Sequence, residues 1–143
     1  TAKQRVEAGY EFREFTGIIG ELAACLRFGY RWTPSVGYDA IDKDCNRIQI
    51  KTRKVWSSPN FTSGRIGKFG RKDKYEFEIG ILVLLNEEFE IAEVWQLNKD
   101  EILKRESRED GRHLALHVNA FIKKPVCQHI HKNYESLKTK EKL

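Results

Sequence analysis

The sequence predicts a single compact domain that contains both helices and strands, of the α/β or α+β class. The chain has 143 residues, of which 40% are hydrophobic, enough for one core and too few for two. Its N-terminal part carries apolar residues at helical spacing, whereas residues 47–53 and 79–85 carry the patterns of strands. We therefore expect one domain over residues 1–143.

Residues 3–28 are predicted to be helical, as one long helix or two short ones. Thr16 is the expected N-cap of a second piece, and Gly29 is the expected stop. Glu21 lies beside the apolar stripe, an unusual position for a carboxylate if the helix only needs to pack. The stripe expected to face the core comprises Ile18, Ile19, Leu22, Ala23 and Leu26.

Two strands joined by a turn are predicted in the next part of the chain. Residues 36–42 form a short strand candidate, and residues 42–46 have the composition of a turn. Residues 47–53 alternate between apolar and polar side chains, so Gln49 and Lys51 share the polar face of that strand. The two segments are expected to pair as an antiparallel hairpin.

The second half of the chain is predicted to contain a strand pair, a helix and a further strand. Residues 76–85 have the apolar run of a buried strand, and residues 89–97 return as its partner after a tight turn. Asn98 is the expected cap of the helix that follows. A short helix, a polar loop and another strand are then expected over residues 99–105, 106–112 and 113–118.

Cysteine usage and hydropathy exclude several classes of protein. The 3 cysteines are odd in number and widely spaced, so they indicate neither a disulfide framework nor a zinc site. Cys127, His129 and His131 lack standard zinc spacing. The N-terminus has no apolar signal segment, and residues 81–85, the longest apolar run, cannot span a bilayer. We expect a cytoplasmic protein with no membrane partner.

Four polar side chains are expected to converge at the predicted hairpin. Pairing about the turn places Asp39 across from the Gln49 region, with Lys51 on the same face as Gln49. Glu21, on the preceding helix, can complete the cluster. Each member also has an ordinary alternative, as a solvated strand face, a surface acid beside a turn, or an acid paired with a base such as Arg27.

This set of groups suits the hydrolysis of a phosphodiester. A hard divalent cation, Mg²⁺ or Mn²⁺, takes oxygen ligands, which Glu21, Asp39 and the Gln49 carbonyl can supply. The cation would polarise the phosphate and lower the pKa of an attacking water. Lys51 would stabilise the charge on the phosphorane or orient the water. The composition of the set leaves open whether one or two metal ions are used.

Three short motifs, G-E-L on the helix, G-Y-D-A-I-D on one strand and Q-I-K-T-R on the next, resemble the PD-(D/E)xK nuclease superfamily. The resemblance implies the restriction-endonuclease-like α/β fold, a central mixed β-sheet flanked by helices. It also implies that Asp39 and Gln49 are metal ligands, Lys51 the catalytic lysine and Glu21 the helix acid. Gln49 replaces the usual acid, as in the Q-x-K branches, and Tyr38 stands where the motif has proline.

Residues 54–75 form a long basic segment that contains glycines and aromatic residues. Its alternative interpretations are contact with the phosphate backbone of a nucleic acid and a solvated loop. A net charge of +5 permits an anionic partner without identifying one. The expected nucleic-acid contacts are Arg53, Lys54, Arg65, Lys68, Arg71, Lys72 and Lys74.

The leading functional prediction is a Mg²⁺-dependent endonuclease that acts on nucleic acid, with DNA the expected substrate and a homodimer as one open arrangement. A second hypothesis is a catalytically silent nucleic-acid-binding or assembly domain on the same fold, because replacing an acidic ligand by Gln49 removes a negative charge. A third is a protein-interaction module whose charged face is only solvated. The hypotheses differ in metal-dependent cleavage and in the importance of Lys51.

Overall fold

A mixed β-sheet forms the middle layer of the molecule. The computed structural model describes residues 2–35, 37–54, 65–70, 75–106, 116–122 and 127–132, and the side chains of its first helix from residue 15 onward. Within this part of the chain, helix α1 (Ala2–Phe28) packs on one face of the sheet. Helices α2 (Lys99–Glu106) and α3 (Val118–Ile122) pack on the other. The fold is α/β, as the sequence predicts.

The main sheet has 6 strands and a second sheet has 2. The strands are β1 (Arg31–Trp32), β2 (Ala40–Ile41), β3 (Arg47–Lys54), β4 (Arg65–Gly67), β5 (Ile79–Leu85), β6 (Ile91–Asn98), β7 (Leu116–His117) and β8 (Gln128–Lys132). The main sheet has the order β1-β2-β3-β5-β6-β8, and β4 pairs with β7. Strands β3 and β5 are parallel, whereas the other neighbouring pairs are antiparallel.

Strand β5 lies at the centre of the sheet and is buried on both faces, which explains its unbroken apolar run. Ile81 and Val83 point toward α1, and Leu82 and Leu84 point the other way. The helix-side core consists of Ala24, Cys25, Ala40, Ile48, Ile50, Ile81, Val83, Leu85 and Val94. The opposite core consists of Ile66, Phe69, Phe77, Leu82, Leu84, Leu97, Ile102, Leu116, Val118 and Phe121.

An ion pair accompanies the parallel pairing of β3 with β5. The guanidinium of Arg47, at the start of β3, donates to Glu78 Oε1 at 2.7 Å. The backbone N–H of Glu78 donates to the carbonyl of Arg47 at 2.9 Å. Because Glu78 immediately precedes β5, these bonds join the starts of the two strands and support the register in which Ile48 lies beside Ile79.

The predicted hairpin is confirmed, although its first strand is shorter than expected. Strands β2 and β3 pair antiparallel, with Ala40 opposite Ile48. Asp42 closes the turn, because its Oδ1 accepts the backbone N–H groups of Asp44 at 3.0 Å and Asn46 at 2.8 Å. Strand β1, which the sequence did not predict, extends the hairpin into a three-stranded antiparallel unit.

Helix α1 runs without interruption to Phe28, so of the two predicted alternatives the single long helix is confirmed and Thr16 is not an N-cap. The predicted stop is confirmed, because Gly29 has φ 72° and the N–H of Tyr30 donates to the carbonyl of Cys25 at 3.0 Å. This bond is the one that ends a helix in a Schellman motif. Within the described part of the chain, no helix combines the length and apolar character needed to cross a bilayer.

The predicted buried stripe of α1 is wrong for most of its members. Ile18, Leu22 and Leu26 are 40%, 38% and 87% exposed, whereas Gly20 and Ala24 are buried against the sheet. The helix is apolar on both faces here, and apolar periodicity does not say which face packs. Small residues face the sheet because the backbones approach closely. A Cβ placed on Gly20 would lie 1.8 Å from Thr52 Oγ1 of β3.

The second half of the chain follows the prediction except at three places. Asn98 caps α2, with its Oδ1 accepting the N–H of Glu101 at 3.0 Å. Glu106, expected to open a polar loop, is the last residue of α2 and is fully buried. The predicted strand near residue 116 is the short β7, followed at once by α3, which was not predicted. Strand β8 was not predicted either, and residues 107–115 lie outside the described part of the chain.

We expect Gly20→Ala to lower the free energy of unfolding by about 1–3 kcal/mol, because the added methyl group overlaps Thr52 across the helix–strand contact. The matched control is Gly17→Ala on the same helix, where nothing lies within 4 Å of an added Cβ. That change should stabilise the protein by up to about 1 kcal/mol, because alanine favours helix. Urea denaturation measures both variants. Equal effects would contradict the close approach at Gly20.

Candidate active site

Because strand β2 is short, one edge of β3 has no strand partner beyond Ile48, and this unpaired stretch is called the notch below. Strand β2 pairs with Arg47 and Ile48 only, whereas β5 covers the other edge from Ile48 to Lys54. Asp39, immediately before β2, fills part of this notch. Its N–H donates to the carbonyl of Ile48 and its Oδ2 accepts the N–H of Ile50, each at 2.8 Å. The carboxylate therefore replaces a strand partner, and this bond fixes its position.

Helix α1 brings a second carboxylate to the same notch. The close approach at Gly20 places the next residue, Glu21, in hydrogen-bonding contact with the side chain of Asp39. The indole N–H of Trp32 on β1 donates to Glu21 Oε2 at 3.4 Å. Burial, together with the hydrogen bond to Asp39 and its negative charge, raises the pKa of Glu21 to about 8. The carboxyl groups of Glu21 and Asp39 therefore lie in contact at the edge of β3.

Lys51 is the basic member of the cluster. It lies half-buried on β3, within electrostatic range of both Asp39 and Glu21. Burial lowers the pKa of its ammonium group, as does the neighbouring Arg53, whereas the carboxylates of Asp39, Glu106 and Glu21 raise it. Its Nζ also lies 6.0 Å from the centre of the Phe69 ring, a weak cation–π contact. The Lys51 ammonium is held in a partly desolvated position between acids and an aromatic ring.

Gln49 occupies the same strand face as Lys51. The burial of β3 alternates, with Ile48, Ile50 and Thr52 buried and the residues between them half-buried, as predicted. The structure therefore brings Glu21, Asp39 and Lys51 together and places Gln49 two residues before the lysine.

The oxygen donors of the candidate site suit a hard divalent cation only if the side-chain amide of Gln49 is one of them. Among the residues that the structure describes, no group of three or more His, Cys, Asp or Glu side chains is arranged to hold a metal ion. The candidate site has two carboxylates in contact, and its third oxygen donor would be the carbonyl of Gln49. A divalent cation bound between two carboxyl groups in contact would displace the proton that Glu21 keeps at neutral pH. The residues that would hold the cation are therefore Glu21, Asp39 and Gln49.

Four of the predicted nucleic-acid contacts lie among the residues that the structure describes. Arg53 lies on the strand face of Lys51, and its Nη1 donates to the carbonyl of Thr52 at 2.6 Å. Lys54 points to the other side of the sheet, where its Nζ lies 4.1 Å from the ring centre of Phe89. Lys68 is exposed and Arg65 lies on β4. Arg71, Lys72 and Lys74 lie outside the described residues.

Two residues beside the site were missed by the sequence analysis. Buried Glu106 accepts the backbone N–H groups of Phe69 and Gly70 and the hydroxyl of Tyr75, the last at 2.9 Å. It thereby holds the segment that carries the Phe69 ring toward Lys51. Trp32 donates to Glu21 and was not singled out. Only its position between a helix stop and a proline marks it in the sequence, and that signal is weak.

A comparison with models of known protein families finds no match to this chain, and a comparison with curated proteins finds none either. Evidence about function therefore comes from the contacts of Glu21, Asp39 and Lys51, with Gln49 on the same strand face as the lysine.

The raised pKa of Glu21 predicts that stability falls as pH rises. The folded protein keeps a proton on Glu21 up to a pH of about 8, whereas the unfolded chain loses it near 4.5, the ordinary pKa of a glutamate side chain. We expect the Glu21→Gln variant, whose side chain cannot ionise, to be as stable as the parent protein near pH 4. As the pH rises from 4.5 to about 8, the variant should become progressively more stable than the parent, and above pH 8 the difference should stay constant.

Thermal unfolding in EDTA across this range of pH measures the effect. The control is Glu90→Gln, which removes an exposed carboxyl in the turn before β6 and should give a difference from the parent that varies little with pH. If Glu21→Gln and the parent differed in stability by the same amount at every pH, the pKa of Glu21 would not be raised in the folded protein.

Proposed function

We propose that this protein is a metal-dependent nuclease of the restriction-endonuclease-like fold, with Glu21, Asp39, Gln49 and Lys51 as its active site. The observation that carries the proposal is the contact between the carboxyl groups of Glu21 and Asp39, with the Lys51 ammonium in range of both. Stability alone does not favour such a cluster, because it places like charges together and removes a lysine from water. Metal-assisted phosphoryl chemistry uses carboxylates to hold the cation and a positive charge to stabilise the phosphoryl oxygens.

Each residue has a role that its surroundings support. Asp39 is held by the Ile50 N–H through one oxygen, so its other oxygen is the one available to a cation. Glu21 contributes the second carboxylate, oriented by the Trp32 indole, and Gln49 a neutral oxygen. Mg²⁺ or Mn²⁺ bound by these oxygens would supply Lewis acidity and lower the pKa of a bound water. Lys51 provides positive charge for the phosphoryl oxygens as negative charge develops on them.

The architecture is consistent with this assignment. The sheet contains a parallel β3–β5 pair beside antiparallel neighbours, and helix α1 contributes an acid to the edge of β3. The proposed fold family has a mixed sheet flanked by helices and a helix acid beside the lysine strand. Arg53, on the strand face of Lys51, is the described basic residue best situated for a phosphate neighbouring the cut.

The first experiment is a cleavage assay on supercoiled plasmid and on single-stranded DNA, with Mg²⁺ or Mn²⁺. We expect nicking or cutting by the parent protein that is lost in EDTA. Lys51→Ala should reduce the rate by at least roughly 100-fold, because it removes the group that stabilises the developing charge. The matched control is Lys43→Ala, an exposed lysine in the turn between β2 and β3, which should leave the rate unchanged.

Other outcomes of the assay have distinct meanings. Cleavage that persists in Lys51→Ala would show that the site is assigned wrongly or that a contaminant cuts the DNA. Salt-sensitive DNA binding without cleavage in either metal would favour the silent binding domain, in which the Gln49 substitution has removed activity. A protein that neither cuts nor binds nucleic acid would support the interaction module.

Metal binding is expected without substrate. Mg²⁺ or Mn²⁺ at about ten times its dissociation constant should stabilise the folded protein by about 1.4 kcal/mol at pH 8. Glu21→Gln and Asp39→Asn should each remove most of this effect, because each removes a carboxylate ligand. Asp44→Asn, which changes an exposed acid in the β2–β3 turn, should retain it. Thermal unfolding with and without metal measures the effect, and equal stabilisation of all variants would exclude this site.

A further inference from the structure

An exposed tryptophan lies directly against the candidate active site. Trp32 is 42% exposed on β1, the outermost strand of the sheet, and its indole N–H donates to Glu21 Oε2 at 3.4 Å. Trp95 is placed differently, because its ring stacks on His129 with centroids 4.3 Å apart and its N–H bonds to Glu93. Among the residues that the structure describes, no aromatic ring stacks on Trp32.

The direction of the Trp32 side chain follows from the strand pairing. Trp32 lies opposite Ala40, and residues paired across antiparallel strands point to the same face. Because Ala40 belongs to the helix-side core, the indole emerges on the face of the sheet that carries α1, where Glu21 is located.

We propose that Trp32 is a substrate-binding residue that stacks on an unpaired nucleobase next to the scissile phosphate. The proposal rests on the function proposed above and specifies its substrate class: nucleic acid that is single-stranded at the point of cleavage. The indole contacts the carboxylate that would hold the metal, so a nucleotide whose phosphate occupies the site has its base within reach of the ring. The bond to Glu21 also orients the ring before substrate arrives.

The requirement for an unpaired base follows from geometry. Inside a duplex each base is stacked on both faces, so it has no face left for an indole ring. An unpaired or terminal base has one, and aromatic stacking accepts any of the bases because each has a π-face. Contacts to phosphates alone would not distinguish single-stranded from duplex nucleic acid, because both have a charged phosphate backbone.

Binding in EDTA tests the proposal without interference from cleavage. The probes are labelled strands of about ten nucleotides: oligothymidylate, an abasic strand of equal length, and a hairpin duplex. We expect Trp32→Ala to weaken oligothymidylate binding by roughly 5- to 100-fold and to leave the abasic strand unaffected. Trp32→Phe keeps an aromatic face and should remain within a few-fold of the parent. Leu26→Ala, which truncates an 87% exposed apolar side chain of α1, is the control and should bind like the parent.

A direct readout comes from a variant in which Trp56 and Trp95 are replaced by phenylalanine, leaving Trp32 as the only tryptophan of the original 3. Its fluorescence should be quenched by oligothymidylate and much less by the hairpin duplex. Equal affinity of Trp32→Ala and the parent would overturn the proposal, as would an equal loss on the abasic strand. A hairpin duplex that binds as tightly as the single strand would overturn the substrate class.

The outcomes separate this inference from the function on which it rests. If metal-dependent cleavage is found but Trp32→Ala binds and cuts single strands like the parent, the stacking role is excluded and the nuclease assignment stands. If no cleavage occurs but base-dependent binding requires Trp32, the nuclease assignment fails and Trp32 is a base-stacking residue of a binding domain.

Discussion

The contact between α1 and β3 at Gly20 is the constraint on which the candidate site depends. Without a side chain at this position, the helix backbone lies close to Thr52, and the next residue of the helix reaches the sheet edge beside Asp39. The approach has a cost, because the hydroxyl of Thr52 is buried and has no hydrogen-bond partner in the described part of the chain. An unsatisfied buried hydroxyl costs about 1–3 kcal/mol. A larger residue at position 20 would move the helix outward and carry Glu21 with it.

The short length of β2 is the second condition for the site. A longer strand would pair with β3 beyond Ile48 and cover the edge where the two carboxylates meet. The chain instead ends the pairing with Asp39, whose side chain satisfies the Ile50 N–H. A backbone group that needs a partner is thereby used to orient a carboxylate. The same interruption leaves room for Glu21 and, from the outer strand, for the Trp32 indole.

The two faces of the sheet contribute differently to the site. The α1 face supplies Glu21, whereas the opposite core supplies the surroundings of Lys51. Glu106, at the end of α2, accepts hydrogen bonds from the segment that carries Phe69, and the Phe69 ring lies near the lysine. A distant helix therefore contributes to the environment of a residue on β3. The resulting set of coupled acids beside a partly desolvated base is electrostatically unfavourable by itself, which is common at functional sites.

The sequence by itself determined the local elements that carry the site. The alternation of residues 47–53, the Asp42 turn and the Gly29 stop each have a short-range cause, and each is confirmed. These three features depend on neighbours within a few residues, so a single sequence contains the information needed to predict them. The candidate set Glu21, Asp39, Gln49 and Lys51 came instead from the resemblance of three short motifs to a nuclease superfamily.

Only the tertiary structure decided which apolar face of α1 packs, because both faces are apolar and the choice depends on a glycine meeting a threonine from another element. The burial of Glu106 and the approach of Trp32 to Glu21 likewise join residues 11 to 37 positions apart, through contacts that no local pattern encodes. Strand β8 has the same origin, since its pairing partner β6 is more than 30 residues away. Long-range packing therefore determined which residues surround the candidate site.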